Sequence, residues 1–123
     1  MNSFKEILQN EEVQPCPKQF ILALHDTMNA VSGKWKLPII AALFRGKNRF
    51  KDLQDTIDKI TPRMLSKELK ELEINGIVNR RISYQIPQLI EYTLTASGAN
   101  MVTVIDAMID WGIMHRNSEI KMN

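Results

Sequence analysis

The stretch that decides the fold runs from Ile60 to Gly76 and reads ITPRMLSKELKELEING. Thr61 is a favourable N-cap residue, and Pro62 suits the first helical position, where its missing N–H costs nothing. Asn75-Gly76 supplies the left-handed ending that is typical of helices. The sequence therefore predicts a short helix over residues 61–74. Apolar side chains recur in it at helical spacing and predict one buried stripe, formed by Met64, Leu65, Leu69 and Leu72.

The other face of this helix carries hydrogen-bond donors and positive charges. They are spaced by three or four residues, so they project together: Arg63, Ser66, Lys67 and Lys70. A capped helix with an apolar back and a front of donors has the form of a helix that reads DNA. Glu68, Glu71 and Glu73 lie on the same helix and favour the alternative of an ordinary solvated charged face. The choice between these two interpretations depends on the segments before and after this helix.

Length and composition limit the classes of protein. The 123 residues suit one domain, and 44% hydrophobic with 24% charged residues is typical of a globular protein. No apolar run approaches the roughly 18 residues of a membrane span, and no signal peptide is expected, so we predict a cytoplasmic location. The single cysteine, Cys16, excludes an intrachain disulfide framework.

The small net charge of +2 is unevenly distributed along the chain. Residues 45–81 hold ten Lys and Arg against six Asp and Glu, whereas the rest of the chain is net acidic. Positive charge is thus concentrated around the 61–74 helix, as a surface that binds phosphates requires.

The segments before this helix predict three more helices. The first ends at Ser32-Gly33. The second begins near Trp35, accepts Pro38 in its first turn, and is apolar on nearly every side, so it belongs in the middle of the core. The third is linked to the 61–74 helix by residues 58–60, and so short a link predicts a helix-turn-helix. The apolar positions of the first predicted helix are Phe20, Ile21, Leu24, Met28 and Val31. Those of the second are Ile39, Ile40, Leu43 and Phe44, and those of the third are Phe50, Leu53, Ile57 and Ile60.

Past Gly76 the apolar period changes from 3.6 to 2. Residues 77–84 and 90–94 are predicted to be paired strands, and Thr95 is predicted to cap a long final helix. This order predicts a mainly α fold with a small β-hairpin, namely a winged helix-turn-helix in which the 61–74 helix is the recognition helix and the hairpin is the wing. The stripe of the final helix is Met101, Val102, Ile105, Met108, Ile109 and Gly112, widened by Val104, Trp111 and Ile113.

Several short motifs occur in a fixed order along the chain. They are Cys16-Pro17, Gly33-Lys34-Trp35-Lys36, Arg49-Phe50-Lys51-Asp52-Leu53, Ile60-Thr61-Pro62-Arg63-Met64-Leu65, Leu69-Lys70-Glu71-Leu72-Glu73, Gly76-Ile77-Val78, Glu91-Tyr92-Thr93-Leu94-Thr95 and Trp111-Gly112. Together they resemble the HxlR-type regulators, a branch close to the MarR group, over about residues 16–116. The resemblance implies a homodimeric transcription factor without enzymatic activity, which binds double-stranded DNA and dimerises through its first and last helices. Residues 1–15 are then an N-terminal arm, and residues 16–123 are the DNA-binding and dimerisation domain.

The resemblance also implies how DNA is bound. The recognition helix enters a major groove, with Arg63, Ser66 and Lys67 near base edges or phosphates and Lys70 on a phosphate. Arg49 and Lys51, at the start of the preceding helix, hold the DNA backbone. The full predicted DNA-binding set is Arg49, Lys51, Thr61, Arg63, Ser66, Lys67, Lys70 and Arg81.

The wing departs from the family pattern. It reads Pro87-Gln88-Leu89-Ile90, with Leu89 where the family has a cation, which argues against a charged wing tip in the minor groove. Arg80 and Arg81 lie on opposite faces of the predicted strand, so only one of them faces DNA. Our prediction for that residue is Arg81.

Cys16 has two interpretations. A thiol at a helix N-terminus near Lys18 favours thiolate, and in several HxlR-type regulators a cysteine in this place receives an oxidant or electrophile signal. The alternative is a small half-buried apolar residue. As the only cysteine, Cys16 could form a disulfide with the second subunit or a mixed disulfide with a small thiol. A small effector between subunits, lined by some of the seven methionines, is another candidate signal.

No metal, cofactor or catalytic site is predicted. His25 and His115 are too far apart for a metal-binding signature, and no phosphate loop or nucleophile elbow occurs. The remaining alternative function is a winged-helix module that binds protein or only dimerises. The acidic residues of the recognition helix and the uncharged wing tip favour it.

Overall fold

The computed structural model describes residues 18–122 and the side chains of residues 18–118. The predicted arm at residues 1–15 and the thiol of Cys16 lie outside the described residues. The described part contains five helices and one antiparallel hairpin, in the order predicted for a winged helix-turn-helix. The elements are α1 (Lys18–Val31), α2 (Lys36–Phe44), α3 (Phe50–Thr56), α4 (Pro62–Ile74), β1 (Val78–Ser83), β2 (Leu89–Leu94) and α5 (Ala96–Met122).

The chain divides between Ser32 and Gly33 into two compact units. The first unit contains α1. Three side chains of its predicted apolar stripe, those of Ile21, Leu24 and Met28, are exposed, and only the last residue of the helix, Val31, is buried. The second unit contains all the other elements, including the predicted recognition helix α4.

Helix α2 lies in the middle of the second unit, as its sequence predicts. It contacts α3, α4, β2 and α5, and Ile39 and Ile40 have no exposed surface. Pro38 lies in its first turn, where a missing N–H breaks no helical hydrogen bond. The prediction that Phe44 belongs to the apolar core surface is wrong, because this last helical residue is 58% exposed where the chain turns away at Gly46.

The hairpin is shorter at its first strand than the alternation predicts. Ile77 stays outside β1 because its N–H donates to the Leu72 carbonyl and completes the end of α4. The register pairs Val78 with Leu94, Arg80 with Tyr92 and Ile82 with Ile90, so these pairs share one face. Val78 is buried, which identifies this face as the one that packs on the core.

Thr95 joins the end of α4 and the start of α5, and its predicted cap is confirmed. Its hydroxyl donates to the Gly76 carbonyl at 2.6 Å and accepts from the Gly98 N–H at 3.0 Å. Its own N–H donates to the Ile77 carbonyl. Three elements therefore meet at this residue, and α5 begins at a fixed place beside the recognition helix.

Candidate nucleic-acid interface

The ends of α4 are set by local interactions that the sequence predicts. The Thr61 hydroxyl accepts a hydrogen bond from the Met64 N–H at 3.1 Å, and Pro62 is the first helical residue. At the other end Gly76 adopts a φ of 74°, a left-handed conformation that favours glycine. The side chain of Asn75 donates to the Glu71 carbonyl, which also accepts a hydrogen bond from the backbone N–H of Asn75.

The two faces of α4 differ as predicted. Leu65, Leu69 and Leu72 are at most 1% exposed, and Met64, the fourth residue of the predicted stripe, is half-buried, so the leucines form the packed back of the helix. The four donor side chains on the other side are all exposed: Arg63, Ser66, Lys67 and Lys70. The leucines fix the helix on the core, and three cations and a hydroxyl remain available to a ligand.

A tight turn connects α3 to α4. Lys59 has a φ of 67° and reverses the chain direction, while Ile57 and Ile60 on either side of it are buried. The two buried isoleucines hold α3 and α4 together as a helix-turn-helix. Lys51 is exposed in the first turn of α3.

The other cation of this region, Arg49, is partly occupied by a structural contact that sequence reasoning missed. Its guanidinium lies 3.3 Å from the Glu91 carboxylate of β2, and its side chain is 36% exposed. The Tyr92 N–H donates to the Asn48 carbonyl beside it. The start of α3 is therefore fastened to the wing, and Arg49 carries a partner of opposite charge.

The hairpin places Arg80, rather than Arg81, next to the recognition helix. Arg80 and α4 border a hollow of about 310 Å³. Arg81 lies on the opposite face of the hairpin, in register with Glu91. The strand register predicts which residues share a face, but not which face lies against α4. The hollow is lined by Ser66, Leu69, Lys70, Glu73, Arg80 and Tyr92.

A buried lysine binds two of the acidic residues of α4. Lys36, the first residue of α2, is 7% exposed, and its ammonium nitrogen lies 2.6 Å from carboxylate oxygens of both Glu68 and Glu71. Burial alone would lower the pKa of Lys36, but its hydrogen bonds to Glu68 and Glu71 and the negative charges of these two residues together raise it. The hydrogen bond from Lys36 lowers the pKa of Glu71. Two of the three acidic residues that favoured a solvated charged face are thus bound to the protein body.

The described residues contain neither a cluster of metal-ligating side chains nor a helix that could span a membrane. No group of three or more His, Cys, Asp or Glu side chains lies close enough together to hold a metal ion within residues 18–118. His115 stacks on Trp111 at 4.7 Å between ring centroids. None of the described helices has the length and apolar character needed to cross a bilayer.

The exposed cationic helix, its tight link to α3 and the adjoining hairpin define a winged helix-turn-helix DNA-binding protein. The model of the HxlR-like helix-turn-helix family matches residues 30–120, and the chain belongs to this family. It is 35% identical over 117 residues to the HTH-type transcriptional regulator YybR of Bacillus subtilis, covering 95% of this chain and 87% of that protein. The chain is therefore a DNA-binding transcriptional regulator.

Solved structures agree with this assignment. A transcriptional regulator assigned to the MarR family in Enterococcus faecalis V583 has a TM-score of 0.71 and 30% identity, covering 90% of this chain and 99% of that one. The redox regulator HypR in its reduced form has a TM-score of 0.72 and 34% identity, covering 78% of this chain and 95% of that one. HypR is also known in its oxidised form.

Proposed function

We propose that this regulator is a homodimeric repressor that binds a near-palindromic operator and releases it when Cys16 is modified. The observation that carries DNA reading is the exposed row of donors on α4, opposite the fully buried leucines. Arg63, Ser66 and Lys67 lie in the first half of the helix, the part that reaches base edges when such a helix enters a major groove. Lys70, one turn further on, contacts a phosphate.

The wing adds a backbone contact. Arg80 borders the same hollow as Lys70 and Ser66, which supports a role on the DNA strand next to the recognition helix. Arg81 stays a candidate from the sequence, but it faces away from this hollow and lies across from Glu91. Lys51 and Arg49 hold the DNA backbone at the start of α3, with Arg49 weakened by its ion pair to Glu91.

The dimer forms through α1 and α5. The middle of α5 exposes a run of large apolar side chains, which would be costly to leave in water and supports a second copy of this chain as the partner. Several α1 side chains are also exposed and apolar, including Leu22, Leu24 and Met28. Two recognition helices about 34 Å apart then enter successive major grooves, and a near-palindromic operator follows. The exposed α5 side chains are Val104, Met108, Ile109, Trp111, Ile113 and Met114.

The signal acts on Cys16. An oxidant takes two electrons and two protons from the Cys16 thiols of the two subunits and leaves one disulfide between them, or a mixed disulfide forms with a small thiol. Either product changes the dimer and separates the recognition helices from operator spacing. The similarity to HypR, known in reduced and oxidised forms, supports a thiol signal. The role of the protein is regulation rather than catalysis, and its DNA target places it in the cytoplasm.

DNA binding is tested with the full-length protein and the DNA upstream of its own gene. Fluorescence anisotropy at several salt concentrations should give an affinity that falls steeply, with a log–log slope near −0.9 for each phosphate contacted. Tighter binding to this region than to shuffled DNA of the same composition is expected. A flat salt dependence with equal affinity for both DNAs would instead support the module that binds protein or only dimerises.

The thiol signal is tested on the same DNA. Treatment with hypochlorite or diamide should release the wild-type protein, and dithiothreitol should restore binding. The Cys16→Ser variant should bind equally well with and without oxidant. If oxidant releases Cys16→Ser as well, the signal does not act through this thiol.

A further inference from the structure

The contact between Lys36 and α4 has no part in the DNA contacts described above. Lys36 lies under α4 and away from solvent. It joins the start of α2 to α4 through Glu68 and Glu71, which follow it by 32 and 35 residues in the sequence. Its two partners, Glu68 and Glu71, are three residues apart and therefore lie on one side of the helix. One ammonium group thus holds α4 at two points along its length.

The leucine stripe alone does not fix the helix in this way. Burial of Leu65, Leu69 and Leu72 drives α4 onto the core, but the hydrophobic effect is not directional. Charged hydrogen bonds are directional, and two of them to one nitrogen oppose both rotation and sliding. Sequence-specific contacts tolerate errors of only about 0.5 Å and 10–20°. A small rotation of α4 would therefore move Arg63 and Lys67 away from base edges.

The same contact also sets the charge of the DNA-facing element. Glu68 and Glu71 would repel phosphates if they were free, because they lie on the same helix as the cations that bind them. Lys36 places a compensating charge 2.6 Å from each. Either consequence would alter DNA binding, but only positioning alters the discrimination between sequences, since charge acts on all DNA alike.

We propose that Lys36 is a positioning residue for DNA recognition: by binding Glu68 and Glu71 it fixes the rotation and axial position of α4, and so sets sequence specificity. This inference rests on the proposed reading of DNA by α4. It assigns a role to a residue that touches no DNA itself.

The test compares Lys36→Met with Lys34→Met. Both changes remove one positive charge from the same segment, but Lys34 is exposed and lies over the Trp35 ring at 4.8 Å, without contact to α4 in the structure. The measured quantity is the ratio of affinities for the operator and for shuffled DNA. We expect Lys36→Met to lower this ratio about tenfold or more, and Lys34→Met to leave it unchanged. An equal fall for both DNAs in Lys36→Met would show a role in charge alone and overturn the inference, as would an unchanged ratio.

A second variant separates position from charge. Glu68→Met/Glu71→Met keeps Lys36 but removes both repelling carboxylates and both acceptors of its hydrogen bonds, so affinity for shuffled DNA should rise while the ratio still falls. It also carries the test if Lys36→Met does not fold, as judged by circular dichroism. A ratio equal to the wild-type value in this variant contradicts positioning.

The outcome for the wild-type protein keeps this inference distinct from the proposed function. If the wild type itself does not distinguish operator from shuffled DNA, the reading of DNA by α4 fails. If the wild type does distinguish them and both variants keep its ratio, only the role of Lys36 fails.

Discussion

Gly98, in the first turn of α5, lies against the backbone of Ile77 and the side chain of Leu94. A Cβ at this position would overlap the carbonyl oxygen of Ile77 and press on the Leu94 side chain. The Gly98 N–H also donates to the Thr95 hydroxyl, so the backbone cannot move away without breaking the cap. Glycine is required here for space, and the sequence alone gives no signal for this because Gly98 and Gly112 both stand inside one helical pattern.

Replacing Gly98 should therefore destabilise the protein. We expect Gly98→Ala to lower the free energy of unfolding by roughly 1–3 kcal/mol, because an added methyl group has no room beside backbone. Asn100→Ala, at an exposed position two residues further along the same helix, is the control. It adds no atoms, and alanine favours helix over asparagine by up to about 0.7 kcal/mol. Urea unfolding of both variants measures the difference, and equal stabilities would contradict the close approach at Gly98.

The two neighbouring arginines of β1 give a residue-scale test of the wing. Arg80→Ala should weaken binding to all DNA and reduce the salt slope by about 0.9, the value for one phosphate. Arg81→Ala removes the same charge from the other face of the hairpin and should change both quantities less. The reverse order would support Arg81, the residue that the sequence predicts, and would remove Arg80 from the interface.

At the scale of the elements, α4 is predictable from sequence because its determinants are local. Its cap, its first proline, its buried leucines and its glycine ending all lie within residues 60–76, and each behaves in the structure as its chemistry predicts. The partners of α4 are not local. Lys36 meets Glu68 from the start of α2, and Arg49 meets Glu91 across the wing, at sequence separations that periodicity does not report.

The ends of the hairpin and of α2 also depend on contacts that the sequence pattern does not report. Alternation extends the first strand to Ile77, but the end of α4 uses the N–H of this residue. Helical spacing makes Phe44 part of an apolar surface, but the helix ends at this residue and its ring lies in water. At these two places the predictions from pattern fail at the end of an element, where a neighbouring segment uses the backbone or the side chain is left exposed.

At the scale of the whole molecule, the exposed apolar side chains of α5 form the interface of the proposed dimer, and the dimer places the two recognition helices on DNA. Trp111 is 65% exposed and stacks on His115, so a charge at this position costs the monomer little. In a dimer formed through α5 the same charge would be buried without a partner, which is costly.

We therefore expect Trp111→Glu to shift the protein from dimer to monomer in sedimentation equilibrium. Operator affinity should fall about a hundredfold, because the two recognition helices no longer bind as one linked pair. Ile86→Glu, at the fully exposed tip of the wing loop, is the control and should remain dimeric. A dimer in both variants would exclude α5 from the interface.

The central claim is that the exposed face of α4 reads DNA sequence, and the most direct measurement is the operator affinity of Arg63→Ala against that of Arg116→Ala. Both residues are exposed cations, but Arg63 lies at the start of α4 and Arg116 near the end of α5. The account predicts that Arg63→Ala loses about 1–3 kcal/mol on the operator and much less on shuffled DNA, while Arg116→Ala stays close to wild type. Unchanged operator affinity in Arg63→Ala, or an equal loss on both DNAs, would contradict it.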